Sequence, residues 1–138
     1  MAGPSDWNKK IIAQFRANGG KNVAMFGDRL LLLTTKGAKS GRERVNPLAY
    51  TRDRDRIVIV ASKAGAPTNP DWFHNLVANP VTTIELGSDK LTVRATEAKG
   101  AERDRLYAAH AAVLPQFKDY ETKTSRKIPV VVLEPLAG

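Results

Sequence analysis

Short blocks of apolar residues, separated by turn-forming residues, predict a β-rich fold. The run Leu30-Leu31-Leu32-Leu33-Thr34-Thr35 is typical of a buried strand. The charged stretch 52–55 and the glycine-containing stretch 87–89 are each expected to turn between two strands of a hairpin. In all, the pattern predicts about six strands, at 29–36, 44–51, 56–62, 81–86, 90–98 and 128–135.

Three segments have the apolar spacing of helices. Residues 1–20 predict an N-terminal amphipathic helix, capped by Ser5 and ended by the glycines that follow Asn18. A short helix is expected to begin at Asn69-Pro70, with the asparagine as cap and the proline at the first helical position. A third helix is predicted over 101–113. Together with the strands, this pattern predicts one mainly β (α+β) domain over residues 1–138, a small barrel with helices on its rim.

The composition limits the chemistry that such a domain can perform. The chain has no cysteine, which excludes disulfides and thiolate metal sites, and only two histidines, so we expect no metal centre. It also contains no signal peptide and no apolar run of about 18 residues, and we expect a cytoplasmic protein.

The net charge of +8 is concentrated in one part of the chain. Residues 36–63 contain eight cations and three anions and therefore carry +5 of the total. A local excess of this kind favours a polyanionic ligand, such as nucleic acid, an anionic lipid or a phosphorylated cofactor. Nucleic acid is disfavoured, because Tyr50 is the only aromatic residue among these cations and stacking on bases needs more.

A basic loop, residues 36–44 with the sequence KGAKSGRER, lies between the first two predicted strands. Gly37 and Gly41 permit backbone conformations that could point N–H groups into one concavity, and the neighbouring cations could surround the same space. The loop is not a P-loop, because three residues separate the glycines and an arginine follows the second. No Rossmann glycine motif is present either. The alternative is a solvated hairpin tip.

Two further segments could contribute to a site. The third strand ends at Ser62, and a small-residue loop then leads into the helix bearing Trp72, Asn75 and Asn79 on one face. Ser62 and His74 lack the motif of a nucleophile triad, so we expect structural or ligand-orienting roles for them. In the segment 114–120, apolar residues recur every three positions, and this face could line a pocket or pack on the barrel.

Taken together, these segments resemble the deazaflavin (coenzyme F420)-dependent nitroreductase family of actinobacteria. This family contains small F420H2-dependent quinone and nitroimidazole reductases with the FMN-binding-like split β-barrel fold. The resemblance runs from about residue 25 to the C-terminus. It is carried by the stretches LLTT (32–35), GAKSGRERVNPL (37–48), ASK (61–63), NPDWFHNL (69–76), ANP (78–80) and RKIPVV (126–131).

The resemblance implies an enzyme that transfers a hydride from F420H2 to an acceptor. The phosphate and polyglutamate tail of the cofactor would explain the basic loop, with Lys39, Ser40 and Arg44 as contacts and Lys36 or Arg42 nearby. The ring and chain would contact Pro47, Leu48, Ala61, Ser62, Lys63, Trp72 and Asn75. Ser62 and Tyr120 are the candidate proton donors.

One departure from the family bears on the acceptor. The nitroimidazole-reducing relatives have tyrosines before the last strand, whereas this chain has Leu114 and Phe117 there and only Tyr120 matches. The resemblance therefore implies a more apolar acceptor pocket, and we expect a quinone or an activated alkene such as an enone, with nitroaromatics less favoured.

Several alternatives remain at this point. The same barrel could serve an FMN-dependent oxidoreductase or a noncatalytic lipid- or cofactor-binding protein. The first helix could cover a barrel opening, or its Trp7, Ile11 and Phe15 with nearby lysines could touch an anionic membrane. The chain could be a monomer or a homodimer.

Overall fold

A computed structural model describes residues 6–23 and 27–136 of the chain. The strands are β1 (Leu30–Lys36), β2 (Glu43–Ala49), β3 (Thr51–Asp53), β4 (Arg56–Val60), β5 (Val81–Leu86), β6 (Asp89–Glu97) and β7 (Val130–Pro135). The helices are α1 (Asp6–Asn18), α2 (Asp71–Ala78), α3 (Gly100–Val113) and α4 (Gln116–Thr122), with one 3-10 turn at Lys63–Gly65.

The seven strands form one antiparallel sheet in the order β2-β1-β5-β6-β7-β4-β3. Its two edge strands, β2 and β3, are consecutive in the chain and separated only by Tyr50. One residue cannot span an open sheet, so the two edges must meet at that point and the sheet curls into a barrel. The edge strand β3 covers only three residues of β4. Beyond it, β2 and β4 face each other without pairing, and the barrel is split between these two strands.

The strand β1 is buried on both of its faces, which explains its continuous apolar run. Leu31 and Leu33 belong to the interior cluster, whereas Leu30 and Leu32 pack under α1 with Ile11 and Phe15. On the other outer face, α3 and α4 cover β4 and β7. A strand buried on both faces has no polar alternation.

The strand count differs from the expected six because the predicted strand 44–51 is divided at Tyr50. The predicted tight turn 52–55 is also shorter: Arg52 and Asp53 belong to β3, and the turn is made by Arg54 and Asp55. The left-handed backbone of Arg54, with φ 59°, gives the hairpin its sharp reversal. The hairpin itself was correctly predicted.

The helix α1 lies within the predicted first helix, whereas the helix α4 was not predicted. The structure describes α1 from residue 6 to residue 18, and the predicted cap Ser5 lies outside the described residues. The segment 114–120 was expected only to have an apolar face, yet it contains the helix α4. A spacing of three residues over two turns is too short to identify a helix from the pattern alone.

Candidate functional site

The basic loop connects β1 to β2 and lies against α2. The N–H of Gly37 donates to the carbonyl of Arg42 at 2.7 Å, and the N–H of Gly41 donates to the carbonyl of Gly37 at 2.9 Å. The N–H groups of the two glycines themselves therefore close the loop on itself. The charged side chains are what the loop presents: Lys36, Lys39 and Arg42 are exposed, and Arg44 is half-buried.

The loop is closely packed around its first glycine. A Cβ atom on Gly37 would lie 2.5 Å from the Oγ of Ser40, so the Ser40 side chain would have to shift. The same Oγ accepts a hydrogen bond from the N–H of Arg42 at 3.2 Å. The predicted phosphate ligand Ser40 is thus an exposed residue that also braces the loop.

Asn75 of α2 holds the loop from the side of the barrel. Its Oδ1 accepts the N–H of Ala38 at 3.0 Å, and its Nδ2 donates to the Oγ1 of Thr35 at 3.1 Å. The side chain is only 7% exposed. Asn75, a predicted cofactor contact, therefore joins α2 to the basic loop through these two hydrogen bonds.

Pro47 and Leu48 lie on β2, the strand that borders the split. Leu48 pairs with Leu31 of the interior face, and Pro47 pairs with Leu32 of the α1 face. Their side chains point to opposite faces of the sheet, so only Leu48 faces the interior cluster. Pro47 fits an edge strand, where no ladder partner needs its missing N–H.

The end of β4 forms the opposite border of the split. Extending the β3–β4 register beyond the pair Thr51–Val58 would bring Pro47 opposite Ser62, although β2 and β4 are not paired there. Ala61 is fully buried and Ser62 is 6% exposed, while Lys63 is exposed. Of the sequence-predicted contacts of the ring, Pro47 and Leu48 thus lie on one side of the split, and Ala61, Ser62 and Lys63 lie on the other.

The turn after Ser62 has an unusual backbone. Lys63 and Ala64 adopt left-handed conformations, with φ 48° and 54°. Each such non-glycine residue costs on the order of 1 kcal/mol and persists only when the surroundings hold it, and such residues are concentrated at functional sites. Gly65 follows with φ 83°, and a Cβ there would lie 2.7 Å from the Cβ of Lys123 in the segment after α4.

Arg126 is the site residue that sequence reasoning missed. Its guanidinium donates to the carbonyls of Ala61, Ser62 and Ala66 and to the Oδ1 of Asn69. Asn69 therefore serves this arginine, and the predicted cap is wrong: Pro70 occupies the cap position of α2 and no side chain caps the helix. Arg126 belongs to the stretch 126–131, which carries part of the family resemblance, but the sequence pattern gave no indication of its hydrogen-bond partners.

Trp72 and His74 lie on opposite sides of α2. Trp72 is 6% exposed and packs in the interior cluster, so its ring contributes to the barrel core. His74 is exposed, with its ring edge-on to Phe73 at 5.8 Å. Ser62 and His74 share no hydrogen bond among the described residues, consistent with the absence of a triad motif. No group of metal-binding side chains is found in residues 6–23 and 27–136.

Tyr120 lies on α4, close to the strained turn. The Tyr120 ring is half-buried and edge-on to Phe117, with ring centroids 5.1 Å apart. Phe117 is 6% exposed and packs with half-buried Leu114 in the cluster that α3 and α4 form on the outer face of β4 and β7. Of the two roles left open for the apolar face of 114–120, the structure shows packing on the barrel, with Leu114 and Tyr120 only half-buried.

A buried polar pair lies beneath this region. The Nδ1 of His110 is 2.7 Å from the Oγ1 of Thr51, and both side chains are buried. The Nε2 of His110 has no hydrogen-bond partner among the described residues and the ring is edge-on to Phe117 at 4.4 Å. Burial lowers the pKa of His110 to about 4, so the imidazole is neutral at pH 7.

Comparisons with known proteins agree on one family. The model of the F420H(2)-dependent quinone reductase family matches residues 7–135. An F420H(2)-dependent quinone reductase of Mycobacterium tuberculosis is 42% identical over 108 residues, which cover 75% of this chain and 71% of the relative.

Two solved structures are similar over most of their length. An F420-H2 dependent reductase, FDR-A, is 37% identical, with a TM-score of 0.71, over 77% of this chain and 94% of that one. A structure described as a domain-swapped dimer is 33% identical, with a TM-score of 0.73, over 94% and 98% of the two chains. The match to FDR-A confirms the fold that the sequence resemblance implied.

Proposed function

The chain belongs to the F420H(2)-dependent quinone reductase family, and on that premise we propose that it reduces a quinone with a hydride from F420H2. The observation that carries the proposal is the position of the basic loop: Asn75 fixes it at one end of the split, and Ser62 lies across the opening. A cofactor with an anionic tail and a planar ring fits such a site.

The chemistry of the donor set supports this cofactor. Between residues 36 and 42 the loop contains three cations and no acid. Lys39 and Arg42 are exposed, so both can bind phosphate or carboxylate groups. We propose that Lys39, Ser40 and Arg44 hold the phosphate and tail, with Lys36 or Arg42 nearby.

The ring would then lie in the opening between β2 and β4. Leu48 and Ala61 provide apolar walls, Pro47 and Lys63 border the opening, and Trp72 supports it from the core. When bound, reduced F420 supplies the hydride. The protein binds and orients both reactants and excludes water from the space between them.

Besides the hydride, reduction of the quinone consumes a proton, which a residue of the protein must donate. Ser62 and Tyr120 are the proposed donors, because both carry a hydroxyl group and α4, which bears Tyr120, contacts the turn that follows Ser62. The single replacements Ser62→Ala and Tyr120→Phe should each lower kcat with menadione by a larger factor than they change F420 affinity. An unchanged kcat in both variants would exclude them.

An anaerobic assay tests the activity. F420H2 should be oxidised by the quinone menadione. We propose that enones are acceptors as well, so cyclohexenone should also oxidise it. No oxidation by either acceptor would contradict the reductase function. Parallel fluorescence titrations with F420 and FMN separate the cofactors: the FMN-dependent alternative predicts tighter FMN binding, and a noncatalytic barrel predicts binding without turnover.

We propose that α1 serves as a cover of the outer sheet face. Its apolar residues Ile11 and Phe15 are 4% and 1% exposed, which leaves Trp7 as the large apolar side chain on its surface. No helix in the described part of the chain has the length and apolar character needed to cross a bilayer. The alternative, contact of α1 with an anionic membrane, predicts co-flotation with phosphatidylglycerol vesicles that Trp7→Ala abolishes.

We propose that the protein forms a homodimer. The sequence left a monomer and a homodimer open, and the domain-swapped dimer among the similar structures supports the homodimer. Light scattering coupled to gel filtration should give twice the mass of one 15.1 kDa chain. A single-chain mass across a range of protein concentrations would leave the monomer.

A further inference from the structure

Arg126 joins two distant parts of the chain. From the segment between α4 and β7, it reaches back to the loop between β4 and α2. Its Nε donates to the carbonyl of Ala66 at 2.9 Å, and its Nη1 donates to the Oδ1 of Asn69 at 2.6 Å. Its Nη2 donates to the carbonyls of Ala61 at 3.2 Å and Ser62 at 2.8 Å. One side chain thus holds the loop at four points.

The loop that Arg126 holds would not keep its shape alone. Lys63 and Ala64 have φ values of 48° and 54°, a region that non-glycine residues avoid. Within the turn, the carbonyl of Ser62 accepts the N–H of Gly65 at 3.0 Å and the carbonyl of Lys63 accepts the N–H of Ala66 at 3.1 Å. The bonds from Arg126 fix the residues on both sides of this strained turn, so its conformation depends on them.

The charge of Arg126 is not paired with an acid in the part of the chain that the structure describes. Within residues 6–23 and 27–136, no carboxylate lies within ion-pair distance of its guanidinium, and all of its acceptors are neutral. Arg103 is different: it is more deeply buried, but it pairs with Asp104 at 3.1 Å and Glu121 at 3.9 Å. A half-buried cation that is bound only by neutral oxygens gives the adjoining turn a positive potential.

We infer that Arg126 is a positioning residue for cofactor binding, which sets the Ala61–Ser62–Lys63 turn in the shape that receives the ring. It acts through that turn and also makes the turn attractive to an anion. This inference rests on the proposed function, since it assumes that F420 occupies the split.

Arg103 provides the matched control. Both arginines are tied to the segment before β7, and Arg103 donates twice to the carbonyl of Ile128, at 3.1 and 2.8 Å. Arg103, however, holds α3 on the outer face of the sheet and does not contact the turn. Arg126→Gln and Arg103→Gln should both lower the melting temperature, and only the first should change cofactor binding.

The experiment is a fluorescence titration with F420, below the melting temperature of every variant, combined with KM for F420H2 and kcat with menadione. Arg126→Gln should raise Kd and KM about tenfold, the effect of losing one to two net hydrogen bonds. Arg126→Lys should recover little, because an ammonium cannot reproduce a planar fork. Arg103→Gln should stay within about twofold of the wild type.

Several results would overturn the inference. Equal Kd and KM for the two glutamine variants would reduce Arg126 to a structural role, and full recovery by Arg126→Lys would leave only its charge. If Arg126→Gln does not fold, Asn69→Ala removes a single acceptor and should raise Kd about threefold; an unchanged Kd contradicts positioning. Failure of the wild-type protein to bind F420 is a different result and defeats the proposed function itself.

Discussion

The side-chain carbonyl of Asn75 accepts the backbone N–H of Ala38 at 3.0 Å, across 37 positions of the sequence. This bond ties the basic loop to the helix that closes the barrel. A flexible cationic hairpin would lose conformational entropy on gripping a ligand, whereas a loop already held in place loses less. The affinity of the loop for an anion therefore depends on an amide that need not touch the ligand.

Replacing Asn75 should weaken F420 binding. Asn75→Ala leaves the N–H of Ala38 and the hydroxyl of Thr35 without their partner, and we expect Kd to rise about tenfold and stability to fall by about 2 kcal/mol. Fluorescence titration and urea unfolding measure the two effects. Asn79→Ala, at the residue that follows the last turn of α2, is the control and should leave Kd unchanged. A normal Kd in a destabilised Asn75→Ala protein would show that the bond serves only the fold.

The exposed cation Lys39 should contribute to affinity but not to stability. Lys39→Ala should raise the Kd for F420 roughly fivefold in dilute buffer, and the difference from the wild type should shrink at high salt because exposed charges are screened. Titrations at two salt concentrations provide the measurement. Lys90→Ala removes an exposed lysine from the β5–β6 hairpin and should have no effect. Equal losses in both variants would indicate attraction by net charge alone.

The buried pair of Thr51 and His110 should make stability depend on pH. The pKa of His110 is about 4 in the folded protein and 6.5 in the unfolded chain, so the unfolded state binds the proton first as the pH falls. The contribution is complete above pH 6.5 and is lost between pH 6.5 and 4. The loss is on the order of 3 kcal/mol, since each pKa unit corresponds to about 1.4 kcal/mol.

Urea unfolding at several pH values from 7 to 4.5 tests this dependence. The carboxyl of Asp53 has its pKa lowered by hydrogen bonds from Arg105 and Arg56, and it affects stability only at lower pH. His110→Phe should flatten the profile, even though the variant has a different overall stability. The other histidine is exposed, and His74→Gln should retain the wild-type profile. If His110→Phe kept the same slope, another group would be responsible.

Crowding around Gly65 should make that position intolerant of any side chain. Gly65→Ala combines a φ of 83° with a Cβ placed 2.7 Å from the Cβ of Lys123, and we expect a loss of about 3 kcal/mol. Gly100 has a φ of 58°, and a Cβ added there would meet nothing within 4 Å, so Gly100→Ala carries only the backbone cost of about 1 kcal/mol. Comparing the two unfolding free energies isolates the crowding. Equal losses would mean that α4 moves aside freely.

The sequence predicted the strands and the position of the basic loop correctly because these features are local. The run at 30–35 identifies a strand by itself, and the cations at 36–44 are neighbours whatever the fold. The pattern failed where one residue interrupts a strand, as at Tyr50, and where a helix has only two turns, as in α4. In both cases the local signal is weaker than the tertiary packing that decides the outcome.

By itself, then, the sequence determined the strands, the cationic loop and the family resemblance that named the cofactor. The tertiary structure decided which polar groups meet: Asn75 with Ala38, Arg126 with Ser62, and His110 with Thr51. These partners are 37 to 64 positions apart. A hydrogen bond between distant residues leaves no periodicity in the sequence, because its partners are brought together only when the sheet curls and its two edges meet.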